Sequence, residues 1–113
     1  MDNIAWSTCL DRGVELLGHH VPVTDPIFAT ASELREHVSY LEASGYLDPS
    51  WRDEWPHNIG WFFPLTLRLK TAVNYVFALA TGANDRVTVE RIKALQISLR
   101  AFHQSVQRIE GAS

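Results

Sequence analysis

Residues 92–109 read IKALQISLRAFHQSVQRI, and this stretch decides the fold. Its large apolar side chains recur at alternating steps of three and four residues, which keeps them in one narrow stripe of an α-helix. The stripe, called here the helix-4 seam, consists of Ile92, Leu95, Leu99, Phe102, Val106 and Ile109. Such spacing predicts a long amphipathic helix that packs against another helix. The partner helix belongs either to the same chain or to a second copy in a homodimer.

The length and composition of the chain suit one domain over residues 1–113. With 46% hydrophobic residues, a chain of this length can bury a single core without a metal or a disulfide. Its one cysteine, Cys9, excludes an internal disulfide, and the first residues lack the basic start and apolar run of a signal peptide. No apolar stretch approaches the roughly 18 residues of a membrane span. We therefore expect a cytoplasmic protein with no membrane partner.

Two helices are predicted before the middle of the chain. Residues 3–18 place apolar side chains at helical spacing, and a glycine ends this stretch. The second helix is expected to begin at Thr30, because Thr30 and Glu33 have the spacing of a capping box. Gly45 is a suitable left-handed residue to end it, with the following apolar pair folding back on the last turn.

Two more helices complete the predicted fold. A third helix is expected from Phe62 or Phe63 to Thr81, and Asp85 or Thr88 is expected to cap the fourth. The apolar face of the third helix is wide enough to include Leu67, Tyr75 and Leu79, so we expect it to be the most buried helix. No stretch has the alternation of a β-strand. The predicted fold is all-α: a four-helix, mainly antiparallel bundle with an aromatic-rich connection between helices 2 and 3.

That connection is the strongest candidate for a binding site. The segment WRDEWPHNIGW, residues 51–61, contains three of the four tryptophans, and tryptophan and arginine are enriched in binding hot spots. The predicted partner-binding residues are Trp51, Arg52, Asp53, Glu54, Trp55 and His57. In the alternative interpretation, the indoles close the end of the bundle and the segment is a structural lid.

Charge is distributed unevenly along the chain. Residues 1–60 contain ten carboxylates and three basic side chains, whereas residues 61–113 contain seven basic side chains and three carboxylates. Either the acidic and basic helices neutralise each other in the fold, or an acidic face binds a basic partner.

No motif predicts catalysis. The sequence has no glycine-rich phosphate loop and no nucleophile elbow, so we expect no enzyme and no cofactor. Glu15 with His19, and Glu33 with His37, stand four residues apart on predicted helices. We interpret both pairs as surface pairs and predict no metal site, because neither has the Glu-x-x-His spacing of a di-iron bundle.

The function predicted best is that of a small helical protein-interaction module that binds and regulates or inhibits a protein partner with a basic surface. Small inhibitors such as immunity proteins share this size and charge, which is an analogy and not a motif match. A second possibility is a pocket for a small ligand between the helices. Its predicted lining is Trp6, Tyr40, Phe63 and Tyr75.

The alternative function is a dimeric DNA-binding transcriptional regulator with a helix-turn-helix-like segment at residues 30–47. Within it, SELREHVSYLEASGYL, residues 32–47, resembles the recognition helix of a winged-helix DNA-binding domain. The resemblance implies a helix that enters the major groove. This helix carries three glutamates and one arginine, which makes contact with DNA phosphates unfavourable. Nucleic acid is therefore not the expected partner.

Overall fold

The computed structural model describes residues 4–48, 60 and 62–112, and within them it contains four helices and no strand. Helix α1 spans Trp6–Leu17, α2 spans Pro26–Ala43, α3 spans Phe62–Gly82 and α4 spans Arg86–Ala112. Helix α4 packs against both α2 and α3, and α1 packs against α2. The predicted all-α bundle of four helices is confirmed.

The helix-4 seam lies inside this bundle. All six of its side chains are at most 8% exposed, and they share one core with apolar residues of α1, α2 and α3. Because that stripe is already covered by helices of the same chain, two copies can pair through it only if the bundle opens.

Helix α2 begins one turn earlier than its predicted start, and the capping box predicted at Thr30 and Glu33 is wrong. Its N-cap is Asp25, whose Oδ1 accepts a hydrogen bond from the N–H of Ile27 at 3.0 Å, and Pro26 occupies the first helical position. The Thr30 hydroxyl donates instead to the carbonyl of Ile27 at 2.9 Å. An Asp-Pro pair starts a helix well, because the carboxylate caps it and proline has no N–H to leave unpaired.

The C-terminal end of α2 is as predicted. Gly45 has a φ of +82°, the left-handed conformation that glycine adopts without strain. The N–H groups of Tyr46 and Leu47 both donate to the carbonyl of Leu41, at 3.0 and 3.2 Å, and Leu47 is buried.

Asp85 caps α4, as expected. Its carboxylate accepts hydrogen bonds from the backbone N–H and the hydroxyl of Thr88, at 3.1 and 2.8 Å, and from the Tyr46 hydroxyl at 3.0 Å. These bonds favour the charged form and hold the pKa of Asp85 below its usual range. The same carboxylate therefore starts α4 and ties it to the segment that follows α2.

Helix α3 is less buried than predicted. Leu67, Tyr75 and Leu79 are 47%, 67% and 45% exposed, so only part of the wide apolar face faces the core. In the described residues α3 packs mainly against α4, whereas α4 lies between α2 and α3. The central helix among the described residues is therefore α4, and α3, which packs mainly against α4, keeps part of its apolar face exposed.

The first turn of α1 is capped by a residue far along the chain. Its own N-cap, Ala5, has no side-chain oxygen to offer. The Glu42 carboxylate at the end of α2 takes that place: Oε2 accepts from the N–H of Trp6 at 2.9 Å and Oε1 from the N–H of Ser7 at 3.3 Å. A carboxylate at this position also interacts favourably with the helix dipole.

Replacing Glu42 with alanine is expected to lower the free energy of unfolding by about 1–2 kcal/mol, because two N–H groups of the first turn lose their acceptor. Urea denaturation followed by circular dichroism measures the change. Glu36→Ala is the matched control, since it removes an exposed glutamate of the same helix and should change the free energy by less than about 0.5 kcal/mol. Equal effects of the two substitutions would contradict the capping role.

Candidate functional site

The partner-binding residues predicted in the connection between α2 and α3 lie outside the described residues. They are Trp51, Arg52, Asp53, Glu54, Trp55 and His57. Their role, as an interface or as a structural lid, stays a prediction.

The aromatic lining predicted for a ligand pocket is not assembled in the structure. Trp6 is 3% exposed and belongs to the core, whereas Tyr75 is 67% exposed on the outer side of α3. The ring of Tyr40 lies under the Arg91 guanidinium, whose carbon is 4.2 Å from the ring centroid. The side chain of Phe63 is outside the described part of the chain.

A different cavity lies in the groove between α3 and α4. Its volume is about 300 Å³, at the lower end of the range of small-molecule sites. The lining residues are Thr66, Leu67, Lys70, Val73 and Asn74 of α3, with Gln96, Leu99, Arg100 and His103 of α4. Within each helix most of these positions are three or four residues apart, so each helix contributes one face. We call this cavity the α3/α4 groove.

Two polar pairs bridge the walls of the groove. The Thr66 hydroxyl lies 2.8 Å from Nδ1 of His103, a hydrogen-bond distance. About two turns further along α3, Nε2 of Gln96 donates to Oδ1 of Asn74 at 3.3 Å. Each pair joins one residue of α3 to one of α4, so the two helices are held together by side-chain hydrogen bonds along this surface.

The charge of the groove is positive. Lys70 and Arg100 are exposed on its two walls, and neither forms an ion pair with a carboxylate in the described ranges. Among the described residues, no aspartate or glutamate lines the groove. Its floor is apolar, since Val73 and Leu99 are 0% and 6% exposed. The groove thus combines an apolar floor with a cationic rim.

The next feature is the set of side chains that could bind a metal ion, and the contacts that they make in the fold. In residues 4–48, 60 and 62–112, no group of three or more His, Cys, Asp or Glu side chains is arranged to hold a metal ion. Glu33 accepts a long hydrogen bond of 3.4 Å from the Ser98 hydroxyl, and the Arg91 guanidinium lies 3.5 Å from Nδ1 of His37. Burial and the charge of Arg91 lower the pKa of His37. Glu33 and His37 therefore face the contact between α2 and α4.

Cys9 is an inert core residue in this geometry. It is 0% exposed, and burial together with the nearby Glu42 carboxylate raises the pKa of its thiol to about 11. At pH 8 we expect the native protein to react with a disulfide reagent about 100-fold more slowly than the unfolded chain, because little thiolate forms. Absorbance of the released thiolate, with and without concentrated guanidinium chloride, measures the two rates. Fast labelling of the native protein would contradict the buried position.

No protein-family model, curated protein or solved structure matches this chain. In the part of the chain that the structure describes, no helix is long and apolar enough to cross a membrane. The class that fold and site define together is a small all-α bundle with a cationic groove and an acidic N-terminal pair of helices.

Proposed function

We propose that this protein is a cytoplasmic interaction module, without catalytic activity, that binds and regulates or inhibits a protein partner with a basic surface. The observation that supports the proposal is the separation of charge in the folded chain. Of the four ion pairs among the described residues, one joins the acidic half to the basic half: Arg108 and Asp25, 2.7 Å apart. The other three lie within one half and pair Arg12 with Glu15, Arg35 with Asp11, and Lys93 with Glu90.

The acidic surface is carried by two helices that pack against each other, α1 and α2. Asp11 and Glu15 are exposed on α1, and Glu33 and Glu36 are exposed on α2. Arg35 and Arg12 pair with Asp11 and Glu15, whereas Glu33 and Glu36 form no ion pair with the described residues, so the field of these two carboxylates reaches the solvent. An exposed acidic surface speeds the encounter with a basic partner and disfavours acidic ones.

Affinity capture of partners followed by calorimetry tests the proposal. Immobilised protein is used to retain a partner from lysate, and the dissociation constant of the identified protein is then measured at increasing salt. We expect Glu33→Gln with Glu36→Gln to raise that constant about five- to tenfold at low salt and to flatten its salt dependence, because a steering charge is lost. Glu90→Gln, a carboxylate of α4, is the control and should have an effect below about twofold.

Two outcomes would contradict the proposal. The first is a retained partner whose affinity is equally insensitive to the α2 substitutions and to Glu90→Gln. The second is the retention of nuclease-sensitive DNA in place of a protein.

The DNA-binding alternative finds less support in the geometry. Residues 30–43 belong to helix α2, which starts at Pro26, residues 44–47 follow that helix, and residues 18–25 separate it from α1. A helix-turn-helix motif usually has a tighter turn of about 3–4 residues. On the exposed side of α2, Arg35 is already paired with Asp11 at 2.9 Å. A labelled duplex should therefore show no binding at low salt, whereas tight binding that falls steeply with salt would favour the regulator.

A further inference from the structure

We propose that the α3/α4 groove is a binding site for a small organic anion, a molecule with an apolar body and one carboxylate or phosphate group. The proposal is independent of the acidic surface of α1 and α2, since no residue of those helices lines the groove. It rests on three properties of the groove: its shape, its charge and its hydrogen-bonding groups.

The shape of the groove suits the apolar body of such a ligand. Val73 of α3 and Leu99 of α4 form an apolar floor, and the apolar atoms of a ligand that pack on it are removed from water. Leu67, which is 47% exposed, adds an apolar part to the rim. A volume of about 300 Å³ accommodates a short aliphatic chain or a single ring. Burial of that body against the floor supplies affinity that does not depend on charge.

The positive charge of the groove favours a ligand with a negative charge. Lys70 stands on the α3 wall and Arg100 on the α4 wall, and the described residues offer neither of them a carboxylate. An anion held between them receives charge-assisted hydrogen bonds from both helices. A cationic ligand or a metal ion would be repelled by the same pair.

The polar pairs provide further donors on the same surface. Gln96 donates to Oδ1 of Asn74, and the amide nitrogen of Asn74 makes no hydrogen bond to the described residues. Its two N–H groups therefore remain to donate to an anionic oxygen. Together with Lys70 and Arg100, they are the hydrogen-bond donors of the site, and no carboxylate of the described ranges lines it.

Titration with octanoate, followed by ¹⁵N–¹H correlation spectra, tests the proposal. The side-chain amides of Asn74 and Gln96 give signals of their own and report directly on the groove. We expect octanoate to shift these signals to saturation, and 1-octanol, its neutral counterpart, to bind at least about tenfold more weakly, because it lacks the charge. Octyl phosphate is the third probe, and the tighter of the two anions identifies the preferred head group.

Two double variants with the same change in net charge separate the groove from the rest of the basic surface. Lys70→Gln with Arg100→Gln removes both cations of the groove, and we expect it to raise the dissociation constant of octanoate at least about tenfold. Arg86→Gln with Lys93→Gln removes two exposed cations of α4 that do not line the groove, and should change it less than about twofold.

Three outcomes would overturn the proposal. Equal affinities for octanoate and 1-octanol would show an apolar cavity without charge selection. Equal effects of the two double variants would show attraction to the overall basic surface. Absence of saturable shifts at Asn74 and Gln96 with both anionic probes would show that the groove is not a binding site.

Discussion

Replacing Phe102 with alanine is expected to lower the free energy of unfolding by about 3–5 kcal/mol. Phe102 is 0% exposed and lies in the middle of the helix-4 seam, on the helix that packs against both α2 and α3. Removing its ring leaves a cavity at the centre of the core, which the close-packed neighbours fill only in part. Urea denaturation monitored by circular dichroism measures the loss.

Ile97→Ala is the control for this substitution. Ile97 belongs to the same helix but is 68% exposed, so its replacement should change the free energy of unfolding by less than about 0.5 kcal/mol. The unfolding midpoint should also be independent of protein concentration, because the seam is buried within one chain. A midpoint that rises with concentration, or equal losses for the two variants, would show that the seam pairs two copies.

Replacing Trp6 with alanine is expected to have the second largest effect, a loss of about 3–4 kcal/mol. Trp6 is 3% exposed in the core, and its indole Nε1–H donates to the carbonyl of Asp48 at 3.1 Å. The residue therefore joins the start of α1 to the segment that follows α2. Both the buried surface of the indole and this hydrogen bond are lost in the alanine variant. Thermal and urea unfolding measure the effect.

A second substitution at the same position separates the two contributions. Trp6→Phe keeps most of the buried apolar surface and removes the N–H donor, so we expect a loss of about 1–2 kcal/mol. Equal losses for the phenylalanine and alanine variants would show that the hydrogen bond to Asp48 dominates and that core packing contributes little. A negligible loss in both variants would contradict the buried position of the indole.

The features that the sequence predicted correctly depend on neighbouring residues. The helix-4 seam follows from the periodicity of one helix. The role of Gly45 follows from the left-handed conformation that ends a helix, and that of Asp85 from the side-chain oxygen that caps the start of a helix. Each is an interaction within a few residues of the chain. The start of α2 is also local, but the sequence predicts it at the capping box of Thr30, whereas Asp25 and Pro26 start the helix.

The features that the sequence did not predict join distant parts of the chain. Glu42 caps a helix that begins 36 residues earlier, and no local pattern marks it for that role. Leu67 and Tyr75 belong to an apolar face that is wider than the part covered by α4, the main neighbour of α3 in the described residues. For that reason the burial of α3 was overestimated. The α3/α4 groove has no signature in the sequence, because its walls are two separate helices.

By itself, the sequence determined that the chain forms four amphipathic helices, because helical periodicity and capping depend on residues three or four positions apart. It also determined that one half is acidic and the other basic. Only the tertiary structure decided that α4 is central, that the helix-4 seam is buried within one chain, and that Lys70 and Arg100 face one groove. These facts depend on which helix covers which face, and packing between helices is a property of the whole chain.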